Sequence, residues 1–187
     1  MIDIETLATT PDAAILTIGA QAFDPFGTGY YDKHFYSRID IDSQLNRAVE
    51  DSTVEWWSRQ TEDARQEAFS EQDRMPLDQA LETLSKLIWQ STIVWANGPT
   101  FDMVILEHAY KSYSMRLPWQ YYRVRDCRTV FSLYPTDRLL KPGVMPIVID
   151  GKPHRPASHN ALDDCRRQID ILQFTLDKLN VKQMGNS

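Results

Sequence analysis

Met1-Ile2-Asp3-Ile4-Glu5-Thr6 and, after a short break, Ala13-Ala14-Ile15-Leu16-Thr17-Ile18-Gly19-Ala20-Gln21-Ala22-Phe23 decide how this chain begins to fold. The first segment alternates apolar and acidic residues, the two-residue period of a strand whose faces differ. The second is an apolar, β-branched run set between two turn-forming stretches, Thr9-Thr10-Pro11-Asp12 and Asp24-Pro25-Phe26-Gly27, and it reads as a strand. Tyr30 to Ile41 alternates polar and apolar side chains and supplies a third. The opening is therefore a three-stranded antiparallel meander.

Downstream the period changes to helical. Ser52-Thr53-Val54-Glu55 has the form of a capping box ahead of Trp56 and Trp57, and a second helix runs from Glu62 to Phe69. Leu77, Leu81, Leu84, Leu87 and Ile88 recur at three- and four-residue steps, an amphipathic helix. Thr92-Ile93-Val94-Trp95-Ala96 is a short buried strand, broken by Asn97-Gly98-Pro99 before a helix from Phe101 to Tyr113. Tyr121 to Val124 reads as another strand, followed by a helix from about Asp126 to Leu133. Five of the ten prolines lie between Pro135 and Pro156, which forbids regular helix there. Val144 to Ile149 with Asp150-Gly151 suggests a small hairpin inside that stretch. Leu162, Ile169, Leu172, Phe174, Leu176 and Leu179 line one long final helix, Asn160 to Leu179. The expectation is a single α/β domain over residues 1–187, a mixed sheet flanked by helices, without repeats or linkers.

Bulk properties narrow the function classes. Apolar residues make up 42% and charged residues 25%, a globular profile. No apolar run is long enough to span a bilayer and no signal-peptide pattern opens the chain, so no membrane partner is expected. Cys127 and Cys165 lack metal-site spacing and read as reduced thiols, which points to the cytoplasm. The net charge of −6 argues against a protein that coats long nucleic acid through many Lys and Arg contacts. It leaves room for one that faces phosphate with bound cations held by carboxylates.

Three separated segments carry candidate chemistry. Asp3-x-Glu5 puts two carboxylates on one face of a strand, although with 18 Asp and 8 Glu in the chain such a pair also arises as plain solvated surface. Asn97-Gly98-Pro99-Thr100-Phe101-Asp102 sets a carboxylate on the first turn of a helix straight after a strand; a helix-capping role competes with a ligand role there. In His159-Asn160-Ala161-Leu162-Asp163-Asp164, His159 alone among the four histidines has an aspartate five residues on. Asp163 points about 100° away from Asp164 on a helix, so Asp164 is the candidate ligand and Asp163 faces solvent or supports from behind.

Order and placement of these three segments resemble the DEDDh group of DnaQ-like (ribonuclease T-like) 3′-5′ exonucleases, across nearly the whole chain. Glu55-Trp56-Trp57 and Trp95-Ala96-Asn97-Gly98-Pro99 resemble a bacterial and phage exoribonuclease-like subgroup. The resemblance implies a ribonuclease H-like fold, with parallel strands added to the antiparallel ones. It implies hydrolysis of single-stranded RNA or DNA from a free 3′ end, releasing nucleoside 5′-monophosphates. Asp3, Glu5, Asp102 and Asp164 would hold two Mg2+ ions, with Mn2+ able to substitute, and His159 would take the proton of the attacking water. A loop-borne His159 is expected to turn out until substrate arrives. Thr6 and Leu7 would meet the terminal sugar and base. Phe101, Trp56, Trp57 and Tyr30 are candidates for base stacking, though one tryptophan of an adjacent helical pair usually belongs to the core. Arg125, Arg128, Arg138 and Lys141 form either a phosphate track or a solvated face, and Asp126 reads as a helix cap. The resemblance also implies a homodimer. Two other classes compete. An internally cutting nuclease of the ribonuclease H-like class lacks the H-x-x-x-x-D element, and a binding module without activity has no need of all five residues. The choice of RNA or DNA stays open.

Overall fold

The computed structural model describes residues 1–44, 46–90, 92–134, 148–149, 152–153 and 159–181. Strands β1 (Ile2–Thr6), β2 (Ile15–Gln21) and β3 (His34–Ile39) form the antiparallel meander, and β4 (Arg74–Met75) adds to β3 in parallel. Strands β5 (Val94–Ala96) and β6 (Val124–Asp126) pair in parallel with each other. Helices α1 (Asp51–Ser58), α2 (Glu62–Phe69), α3 (Leu77–Leu87), α4 (Asp102–Ser112), α5 (Cys127–Phe131) and α6 (Ala161–Lys178) complete the mixed α/β architecture, which is compatible with the ribonuclease H-like fold. A two-residue ladder joins β7 (Val148–Ile149) to β8 (Lys152–Pro153), the pairing of the expected hairpin; the rest of that stretch, with Arg138 and Lys141, lies outside the described residues. Among the described residues no helix is long and apolar enough to cross a membrane.

Period-two alternation in β1 sorts its side chains. Ile2 and Ile4 sink into a core shared with α3 and α4, while Asp3 and Glu5 project to the other face. β2 is buried along its whole length, as a central strand covered on both sides must be. Although only Met1 and Ile2 precede Asp3, the pairing runs to the first residue: the Met1 amine donates to the Gln21 carbonyl at 2.8 Å, and Gln21 N–H donates back to Met1 at 2.9 Å.

α6 lies against β2 and β1, and one glycine permits it. A Cβ on Gly19 would stand 2.3 Å from the Ala161 carbonyl carbon, so the first turn of α6 presses directly on β2 because position 19 has no side chain. Asn160 starts that helix by accepting from the amides of Leu162 and Asp163, each at 3.1 Å. The same contact brings the start of α6 beside the open face of β1.

Several boundaries differ from those read in the sequence. Tyr121–Arg123 forms a 3₁₀ turn, and the strand begins at Val124. α1 starts at Asp51 behind Glu50, with no side-chain cap, so Ser52 sits inside the helix rather than at its cap. Asp126 does cap α5, accepting from Arg128 N–H at 3.0 Å.

Candidate active site

Asp3, Glu5, Asp102, His159 and Asp164 all open on one cleft of about 500 Å³. Asp3 and Glu5 arrive from β1, Asp102 from the start of α4 and Asp164 from the first turn of α6. Asp102 does not cap its own helix. The cap position is Phe101, without a side-chain hydrogen bond, and the Asp102 carboxylate instead accepts the Ile4 amide of β1 at 3.3 Å. A side chain thus takes up an edge amide of β1 and locks α4 to that strand.

The walls differ in charge balance. Asp3 Oδ1 accepts only a neutral donor, the Gln168 amide at 2.8 Å. Neither Asp3 nor Asp102 forms an ion pair with Lys or Arg among the described residues. Burial drives the Asp3 carboxyl well above its ordinary range, reinforced by the charges of Asp102, Glu5 and Asp164. Burial likewise pushes Asp102 up to about 7, against the Ile4 hydrogen bond that opposes it. Glu5 is also raised by burial, with His159 pulling the other way. Asp164, by contrast, is satisfied on both oxygens. Its Oδ1 accepts from Arg167 Nε at 3.0 Å, and its Oδ2 from the His159 backbone amide at 2.9 Å.

His159 turns inward, against the expectation of an out-turned loop residue. Its backbone adopts a positive φ of 54°, and its ring meets Trp56 and Trp57 edge-on, at centroid distances of 5.1 and 5.8 Å. Nδ1 stands 3.5 Å from Glu5 Oε1, and that carboxylate raises the imidazole above its usual pKa. Two aromatic edges and an acid hold it in, which the neighbouring prolines gave no reason to expect. Ligand atoms of Glu5, His159 and Asp164 fall within 4.8 Å of one another, close enough to share one cation.

Residues 1–176 match the family model described as a 3′-5′ exoribonuclease Rv2179c-like domain. The chain belongs to this family. It is also similar to an exodeoxyribonuclease of Enterobacteria phage T4, 24% identical over 206 residues, spanning 94% of this chain and 88% of that protein. An exonuclease family and an exonuclease relative together support nuclease activity, and the likeness to a bacterial and phage exoribonuclease-like subgroup stands.

In this exoribonuclease-family chain the cleft also sorts the remaining candidates. Thr6, Phe101 and Trp56 line it, and Trp56 keeps 42% of its surface exposed. Trp57 is core at 2% exposure, its indole N–H donating to the Thr6 carbonyl at 2.9 Å. Leu7 does not line the cleft: it is buried with Ala14, Leu16 and Trp57, because the chain turns inward after β1. Tyr30 lies elsewhere, beside Arg166. Arg125 folds back on the carbonyls of Tyr122 and Val124, whereas Arg128 reaches the cleft across Gly98. Sequence reading missed Arg167 and Gln168. Their signal was present, since residues three and four beyond Asp164 share its helical face.

Proposed function

We propose that this chain is a DEDDh-type 3′-5′ exonuclease dependent on two Mg2+ ions, for which Mn2+ substitutes, acting on single-stranded RNA or DNA with a free 3′ end. One observation carries the reading: carboxylates from three separate segments converge on a cleft where half-buried Asp3 and buried Asp102 form no ion pair with Lys or Arg among the described residues. Buried carboxylates left in that state favour a cation, and an all-oxygen donor set suits a hard one. Asp3, Glu5, Asp102 and Asp164 would hold the ions. When bound, the two ions supply positive charge to the attacking and leaving oxygens of the phosphodiester.

The chain's own residues do the rest. His159, held by Glu5 and the Trp56 edge, takes the proton of the attacking water. Glu5 strengthens it as a base and fixes which ring nitrogen faces the cleft. Trp56 and Phe101 stack on the terminal bases, Thr6 borders the terminal sugar, and Arg128 meets phosphate at the cleft mouth. We place the protein in the reducing cytoplasm, as one exonuclease domain over residues 1–187 that forms a homodimer. A mass near 22 kDa by light scattering, the size of one 21.7 kDa chain, would refute the pairing.

The test uses 5′-labelled single-stranded RNA and DNA oligomers with Mg2+, Mn2+ or chelator. The expected result is a ladder shortening from the 3′ end, lost with chelator and in His159→Ala. The same gel ranks the two sugars, on which the family description and the phage relative's name diverge. No cleavage of either strand in either metal would replace this reading with that of a binding module.

A further inference from the structure

Arg167 stands where a cation is expected. Its side chain is only 16% exposed, and its Nε donates at 3.0 Å to Oδ1 of Asp164, itself 6% exposed. The remaining Asp164 oxygen takes the His159 amide. Every other carboxylate of the cleft lacks a Lys or Arg ion pair among the described residues. The four proposed ligands therefore fall into two states before any ion arrives: Asp3 and Asp102 without an ion-pair partner among the described residues, Arg128 acting on Asp102 only at a distance, and Asp164 already paired with a guanidinium from the next turn of its own helix.

We propose that Arg167 is a built-in competitor for the divalent cation, so that full occupation of the site requires the Arg167–Asp164 ion pair to open. The inference rests on the proposed metal site and deepens it. A guanidinium and a divalent ion cannot both neutralise one carboxylate oxygen without mutual repulsion at close range. The pair is largely shielded from solvent, so its loss is not made up by water. Ion entry at Asp164 is thereby set against a fixed cost, while entry at Asp3 and Asp102 relieves one. Arg167 is a positioning residue in this scheme: it acts on the ligand and need not touch substrate.

The experiment measures metal binding in the absence of nucleic acid. Wild type, Arg167→Gln and Arg167→Lys are titrated with Mn2+ and Mg2+ by calorimetry, with melting temperatures recorded in chelator and in saturating metal. In Arg167→Gln the affinity for Mn2+ should tighten by roughly tenfold or more, the scale of one charged hydrogen bond. Its chelator-treated form should melt lower, because Asp164 loses its partner, and metal should restore most of that loss. Arg167→Lys keeps the charge without the fixed Nε–H and should fall between, which preserves the test if the glutamine variant folds poorly. Unchanged or weaker binding in both variants would overturn the proposal, showing that Arg167 orients Asp164 for the ion rather than opposing it. Absence of metal binding in wild type would instead sink the metal site itself, a separate failure.

Discussion

β1 and α6 reach the same cleft and carry their carboxylates in opposite ways. On β1, Asp3 is braced by a neutral amide from Gln168, and burial with neighbouring negative charge raises its pKa. On α6, Asp164 is neutralised by Arg167, one turn along. A strand offers no same-face neighbour closer than two residues, and at Glu5 that neighbour is a second acid. A helix offers positions three and four residues on, which here hold Arg167 and Gln168. The strand wall is thus under charge strain and the helix wall is balanced. Folding tolerates the strain because only one wall carries it, and on the proposed function a bound cation would relieve it.

The largest expected effect comes from removing charge on either wall. Asp3→Asn and Asp164→Asn should each cut turnover by roughly 10²–10³-fold or more, the scale on which charge-stabilising groups act in catalysis. Their stabilities should part company. In chelator, Asp3→Asn should melt higher than wild type, since a half-buried charge without an ion-pair partner disappears while the asparagine oxygen still accepts from Gln168. Asp164→Asn should melt lower, since Arg167 loses its carboxylate. Thermal melts of the two variants side by side check this, and a shift of the same sign in both would erase the distinction between the walls.

A smaller effect, of order a few kcal/mol, should appear as pH dependence of the metal-free protein. An acid whose folded pKa is raised holds its proton more tightly when folded. The cost of ionising it is absent at low pH and grows as pH rises from the ordinary carboxylate value, 3.8 for Asp102, to about 7. His159 runs the same way: its raised pKa gives stability that is present below the usual 6.5 and lost as pH climbs through the folded value. Melting temperature in chelator should therefore fall between about pH 5 and pH 8, and saturating Mg2+ should flatten that slope by taking the proton's place. A metal-free melting temperature that rises over this interval would contradict the charge strain assigned to β1.

Legibility in the sequence followed the same division between local and long-range causes. The limits of β1 and α2 were readable because period-two and helical patterns there agree with their caps and turns. Spacing and the family resemblance singled out the five candidate residues, and the structure brings them to one cleft. β4 was not readable: two residues pairing with β3 exist as a strand only through partners 36 residues away, Arg38 with Arg74 and Ile39 with Met75, and nothing in Arg74-Met75 announces it. Tyr121 to Arg123 carries aromatic, strand-like side chains yet closes as a 3₁₀ turn, where tertiary context overrides propensity. The inward turn of His159 depends on Trp56 and Trp57, a hundred residues earlier. Leu7 was a candidate through the family resemblance, as the apolar residue following the D-x-E pair, but it packs into the core with Ala14, Leu16 and Trp57.

The smallest effect tests whether α6 faces the cleft as described. Asp163 is adjacent to Asp164 in sequence, yet its side chain is 59% exposed and lies 3.8 Å from Arg166 on the solvent side. One helical step of about 100° separates the proposed ligand position from a surface position. Asp163→Asn should leave turnover within about twofold of wild type and stability within about 0.5 kcal/mol, as for surface substitutions generally. It should also leave Mn2+ affinity unchanged, because no carboxylate of the cleft is touched. A loss of activity comparable to that of Asp164→Asn would mean that α6 is rotated by one residue. Gln168 would then no longer face Asp3, and the balance assigned to the helix wall would belong to Arg166 and Asp163 instead.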